Sequence, residues 1–251
     1  MEILVLFFIG IVQGLTEFLP VSSSGHIVLL SKIFNVEESL FLSVLLHFAT
    51  LLSIVVTFRK DIFEMIKNPF SKRTMTVAVA TIPTCVMALV LMPLIENAFV
   101  GSFLPFCFFT SAVILLLGEY FSRKDSQKPL DYKSAIIIGI AQGFAVFPGI
   151  SRSASTISAA LANGNEKREA VKFSFLMSIP IILASMILEV IKIAKTGISI
   201  SCPIGVCLAF LGAFIFGIIA IKFVLKIAQK ASFVWFSLYL FVLSICSLFL
   251  L

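Results

Sequence analysis

Charge is scarce in this chain. Only 13% of its 251 residues are Asp, Glu, Lys or Arg, against 60% hydrophobic residues and a mean hydropathy of +1.13. Soluble domains carry roughly 25% charged and about 45–50% apolar residues, so the deficit excludes an ordinary soluble fold. The apolar runs approach or exceed the ~20 residues needed to cross a bilayer, which points to an all-α polytopic membrane protein. A basic stretch ahead of the first apolar run is also missing, as is a small-x-small cleavage site after it. MEILVLFFIGIV is therefore expected to stay in the mature chain. The five cysteines lack C-x-x-C spacing and lie in or at the ends of apolar spans, the pattern of packing residues and not of a metal site or disulfide framework.

The charge that is present gathers in three short basic loops. Arg59, Lys60, Lys67, Lys72 and Arg73 form the first, Arg123, Lys124, Lys128 and Lys133 the second, and Lys222, Lys226 and Lys230 the third. Such loops between apolar spans read as cytoplasmic markers and argue against a nucleic-acid partner. Six stretches read as full crossings, at residues 39–58, 75–95, 103–121, 173–191, 201–221 and 233–251. Two further segments, 1–31 and 134–162, are long enough to cross but are broken by Pro, Gly and Ser.

The broken segments repeat one another. GIVQGLTEFLPVSSSG at 10–25 aligns with GIAQGFAVFPGISRS at 139–153, matching Gly10, Gln13, Gly14, Phe18 and Pro20 with Gly139, Gln142, Gly143, Phe147 and Pro148. With the basic loops in the cytoplasm, each broken segment enters and returns on one side, the first outside and the second inside. Lys192 and Lys195 fall outside in this scheme, against the trend. The chain then reads as one integral membrane domain, residues 1–251, built from two inverted repeats of about 1–121 and 134–251. Each is a re-entrant helical hairpin plus three transmembrane helices. Irregular backbone at membrane depth is tolerated where protein buries it or water reaches it, and inverted repeats commonly place their site there.

Each hairpin restarts a helix, at Ser22–Ser24 and at Ser151–Ser153. Two helix N-termini facing each other make an anion site. Arg152 sits at one of them, and its planar fork suits phosphate oxygens. Glu17 follows Gln13 by four residues, so both share a helix face. The pair could hold a hard divalent cation, Glu17 could act as general acid or base, or Glu17 could only pair with Arg152. Ser23 and His26, three apart, suit a nucleophile and a proton acceptor. His47 is a secondary candidate for lining the cavity. Glu96, Glu119 and Glu189 stand at span ends and read as solvated or interfacial. The Phe-rich spans face lipid or pack, with some residues available for a prenyl groove.

These residues resemble a known family. QGLTEFLPVSSSGH (13–26) resembles the (E/Q)-x-x-x-E and P-V-S-S-x-G-H motif of the undecaprenyl-diphosphate phosphatases. PGISRSAST (148–156) resembles their P-G-x-S-R-S-x-x-T motif, and FSFLMSIP (173–180) and the chain length also fit. The resemblance implies a bacterial plasma-membrane enzyme of cell-wall synthesis that converts undecaprenyl diphosphate to the monophosphate and is linked to bacitracin resistance. It implies a divalent cation, Mg or Ca, and an active site open to the outer face. Carried onto this chain, Gln13 and Glu17 would be the acidic-motif pair and metal ligands. Ser23 and His26 would be nucleophile and base, in either order. Ser22, Ser24, Ser151, Arg152, Ser153 and Thr156 would hold the diphosphate. Gln13 in place of a carboxylate leaves more of any metal role to Glu17. Candidate partners are the lipid substrate, the bilayer and a second copy of the chain as a homodimer. The rival reading is a transporter or flippase of an anionic lipid, which the repeat topology alone would favour.

Overall fold

The computed structural model describes residues 2–36, 39–98, 103–122, 128–196, 202–230 and 232–250. Eleven α-helices carry the regular structure of these residues. The first hairpin is α1 (Glu2–Phe18) and α2 (Ser23–Phe34), followed by α3 (Leu40–Thr57), α4 (Arg59–Lys67), α5 (Lys72–Ala98) and α6 (Leu104–Phe121). The second is α7 (Tyr132–Phe144) and α8 (Arg152–Ala162), followed by α9 (Lys167–Thr196), α10 (Pro203–Lys230) and α11 (Val234–Leu250). Five helices are long and apolar enough to cross a membrane: α3, α5 over Lys72–Leu91, α6, α9 over Lys167–Lys195 and α10 over Pro203–Gln229. The sixth expected crossing is α11, an apolar helix of 17 residues.

Several helices run past their apolar windows. Helix α5 was expected from residue 75, α9 from residue 173 and α10 only to 221, yet they extend through Lys72, Lys167 and Lys230. Charged side chains limit the apolar window but not the helix, because their backbones still satisfy the intrahelical ladder. Helix α4, unforeseen within the first basic loop, is tied down by charge. Asp61 of α4 pairs with Arg73 of α5 at 2.5 Å and Lys172 of α9 at 2.6 Å. Glu119 pairs with Lys167 at 2.5 Å, so it joins two helix ends. The side chain of Glu96 lies outside the described residues.

The two halves interlock by exchanging arms. Helix α1 packs along α10, and its counterpart α7 packs along α5. Gly10 lies so close to Ala209 that a Cβ would strike that residue's backbone, and Gly139 lies equally close to the carbonyl of Ala80. The same offset of 129 residues separates Gly10 from Gly139 and Ala80 from Ala209. These glycines allow backbone-to-backbone approach, the packing mode favoured where lipid supplies no hydrophobic drive. Thr84 reinforces the α5–α7 contact by donating to the Gly139 carbonyl at 2.8 Å.

At 1.5 Å per residue α2, α7 and α8 are only about 16–20 Å long, short of the ~30 Å hydrocarbon core. They end where the chain breaks. Ser22 turns the first tip with φ 69°, an uncommon angle for a residue bearing a Cβ, and caps α2 by accepting from Gly25 N at 3.3 Å. Gly149 turns the second tip at φ 91°, where a side chain would also collide with Cys107. Ser151 caps α8 by accepting from Ala154 N at 3.2 Å.

Candidate active site

The two tips touch. Ser24 accepts from Gly149 N at 3.1 Å, and Ser153 donates to the Leu19 carbonyl at 3.0 Å. Each bond joins residues more than a hundred positions apart, so the hairpins form one site. Between them lies a chamber of about 360 Å³, lined by Glu17, Ser22, Ser23 and Ser24 from the first tip and Ser151, Arg152 and Ser153 from the second.

Glu17 organises the chamber. Its Oε1 receives Arg152 Nη2 at 2.5 Å, and its Oε2 accepts from Ser23 Oγ at 2.7 Å and Gln13 Nε2 at 3.1 Å. A carboxylate only 7% exposed requires such donors to remain charged. Of the three roles open for Glu17, pairing with Arg152 is formed, and so is the contact that would take a proton from Ser23. Arg152 uses one arm for this pair. Its buried Nη1 has no hydrogen-bond partner. A buried guanidinium nitrogen without an acceptor is costly, and the N-termini of α2 and α8 stand beside it. The open position suits an anion.

The residues present do not fit a cation held by protein alone. Among the described residues no three His, Cys, Asp or Glu side chains stand close enough together to hold a metal ion. Both Glu17 oxygens already accept hydrogen bonds, and Gln13 presents its amide nitrogen to them.

Ser23 and His26 do not pair with each other. His26 Nδ1 meets the Ser22 carbonyl at 2.7 Å, which can only accept, so Nδ1 carries the proton. In the neutral ring Nε2 then accepts from the Tyr239 hydroxyl, also at 2.7 Å. Phe108 packs edge-on against the ring. The three-residue spacing puts the two side chains on adjoining faces, but local backbone and Tyr239 on α11 draw the imidazole away from the chamber, which it does not line. Thr156 differs from expectation in the same way. It is fully buried, bonded to Ser174 at 2.6 Å and to the carbonyls of Arg152 and Ser153, and it braces α8 against α9 behind the chamber.

Four residues assigned no firm place from the sequence belong to this region. Glu189, expected at an interface, lines the chamber and accepts from Ser43 at 3.1 Å. His47 lines it too, with Nδ1 3.8 Å from Glu189. Gln142 donates to Thr84 at 3.2 Å while its buried Oε1 stays unpartnered. Its match with Gln13 in the internal repeat was the available signal. Tyr239 carried none.

The chain matches the family described as Bacitracin resistance protein BacA over residues 6–246. It belongs to that family. Among its relatives is a protein named undecaprenyl-diphosphatase from Carboxydothermus hydrogenoformans, 39% identical over 96% of this chain and 95% of the relative. Another of that name, from Korarchaeum cryptofilum, is 38% identical over the full length of both chains. The undecaprenyl-diphosphatase 3 of Bacillus cereus is 36% identical over 97% of this chain and 95% of its own. For a BacA-family chain, the polar chamber between the tips is the place to look for chemistry.

Proposed function

We propose that this chain hydrolyses undecaprenyl diphosphate to undecaprenyl phosphate and inorganic phosphate at the chamber between the hairpin tips. The observation that carries the reading is the pairing of an unpartnered, buried Arg152 Nη1 with a Ser23 hydroxyl already donating to Glu17. Phosphoryl transfer needs charge neutralisation and positioning, and Arg152 with two helix N-termini supplies both. In the first step Ser23 Oγ attacks the terminal phosphorus, its proton passes to Glu17, and the bond to the bridging oxygen breaks. Undecaprenyl phosphate leaves on that oxygen. Water then attacks the phosphoserine, a proton reaches the serine oxygen, and inorganic phosphate departs. His26 fits a supporting part, since both ring nitrogens are already engaged. Ser22 and Ser24, whose hydroxyls accept from Gly25 N and Gly149 N and keep their own protons, supply further donors around the phosphates, while Ser151 and Ser153 line the same chamber.

The exchanged packing of α1 with α10 and α7 with α5 supports two inverted repeats. With the basic loops in the cytoplasm, the chamber would open to the outer face of a bacterial plasma membrane. The expected divalent cation, Mg or Ca, would then be held chiefly by the diphosphate oxygens, because both oxygens of Glu17 already accept hydrogen bonds. A transporter of anionic lipid needs the anion site but has no use for a serine aligned on a carboxylate. Purified protein in proteoliposomes separates the two. The hydrolase reading expects phosphate release without net lipid movement, whereas lipid redistribution with no phosphate release supports the transporter.

A further inference from the structure

Beside the chamber lies a second cavity of about 250 Å³, walled largely by apolar residues of α1, α2 and α3 such as Ile9, Ile27, Leu42 and Leu46. Ser24, His47, Pro148 and Glu189 line both cavities, so they form the wall between them. A prenyl diphosphate cleaved at its terminal phosphorus puts that phosphate beside Ser23 and Arg152. Its apolar tail belongs in the apolar cavity. The phosphate bonded to the tail, the one that leaves with the lipid, therefore has to sit at the shared wall.

What stands there is a histidine beside a carboxylate, brought together from two crossings. His47 comes from α3 and Glu189 from α9, and Ser43, one turn before His47, ties them together. Ser43 donates to Glu189 Oε1 at 3.1 Å and lies 3.4 Å from His47 Nδ1, which is itself 3.8 Å from Glu189 Oε2. A carboxylate on one side of an imidazole keeps the proton on the near nitrogen and orients the ring. Nε2 of His47 has no hydrogen-bond partner among the described residues. Glu189 would by itself repel a phosphate, so a carboxylate in an anion chamber makes sense as the counter-charge of a cationic partner.

We propose that His47, held as an imidazolium by Glu189 and oriented with the help of Ser43, donates Nε2–H to the tail-bearing phosphate and so sets which end of the diphosphate is cleaved. This rests on the phosphatase reading for its orientation but not for its binding chemistry. It divides the anion-binding work: Arg152 and the helix N-termini take the terminal phosphate, and His47 takes the phosphate that remains on the lipid.

The two products test this division. Farnesyl monophosphate probes the tail-side position and inorganic phosphate the terminal one. His47→Ala should raise KM for a prenyl diphosphate and weaken inhibition by farnesyl monophosphate by about tenfold or more, the worth of a charge-assisted hydrogen bond. Turnover at saturation should fall as well, because the phosphate that His47 holds is the leaving group, whereas the affinity for inorganic phosphate should change little, and Arg152→Ala should show the reverse pattern of binding for the two products. Glu189→Gln, which keeps the shape and removes the counter-charge, should move the same constants as His47→Ala and covers the case in which that variant aggregates. Calorimetric titration of farnesyl monophosphate into wild type and variants needs no turnover. An inactive wild type whose binding still depends on His47 would sink the phosphatase reading and leave this site standing. Unchanged affinity for farnesyl monophosphate in a folded His47→Ala or Glu189→Gln protein overturns the proposal, as does an equal loss for inorganic phosphate.

Discussion

Ser23 donates its hydroxyl to Glu17 at 2.7 Å across the break between α1 and α2. The two residues stand on different helices of one hairpin, so the turn at Leu19–Ser22 sets their distance. An aligned serine and carboxylate form a nucleophile with its proton acceptor, and the first expectation follows from that. Ser23→Ala and Glu17→Gln should each lower kcat by about 10²–10⁴ while the protein stays folded. Phosphate release under saturating substrate measures it, and near-normal turnover in Ser23→Ala would move the nucleophile elsewhere.

The Glu17–Arg152 pair should show the asymmetry of buried ion pairs. Removing Arg152 alone strands a carboxylate and should cost about 3–5 kcal/mol of stability, whereas replacing both partners with Gln and Met should restore much of it. Thermal unfolding in detergent compares Arg152→Ala, Glu17→Gln and the double variant. The double variant should unfold at a higher temperature than Arg152→Ala and still release no phosphate. A double variant no more stable than Arg152→Ala would show the pair to be a surface-like contact.

The exchanged arms rest on backbone approach at two glycines. Gly10→Leu and Gly139→Leu each drive a side chain into a neighbouring helix backbone and should cost more than the about 1–3 kcal/mol typical of overpacking. At Gly212 a Cβ would meet Ile11 N and Phe7 at 3.3 Å, a tight contact but not a collision, so Gly212→Ala should cost less than either leucine. Recovery of monodisperse protein reads the difference. Equal recovery of all three variants would mean that the helices separate more easily than their contact suggests.

Orientation has a direct chemical readout. Phe70 and Phe103 are exposed and lie in connections expected on opposite faces. In a background without the native cysteines, Phe103→Cys should react with an impermeant thiol reagent in intact cells and Phe70→Cys only after lysis. The opposite pattern would turn the molecule over and move the chamber to the cytoplasmic side.

Local chemistry was the legible part of this molecule. The four-residue spacing of Gln13 and Glu17 survives as a hydrogen bond because both stand on one helix face. The serine-rich breaks become caps at Ser22 and Ser151 because a helix restart needs an acceptor for its first amides. Arg152 was recognisable because an arginine at that depth is costly and its fork suits phosphate oxygens; the structure in addition pairs it with Glu17, 135 residues away. What depends on how distant helices cross was not legible. His26 and Tyr239 lie 213 residues apart, and nothing in either stretch announces their contact. Glu189 looked interfacial because it stands near the end of an apolar window. Only the crossing of α3 and α9 brings it to His47 and into the chamber.

Cleavage of the terminal phosphate from a prenyl diphosphate is proposed here for the chamber between the tips. The most direct measurement is inorganic phosphate released from undecaprenyl diphosphate by purified wild type, Ser23→Ala and Arg152→Ala side by side, with Mg or Ca supplied. Steady release by wild type and loss of at least about a hundredfold in both variants are expected. Release by the variants at the wild-type rate, or none from wild type with either cation, would contradict the proposal.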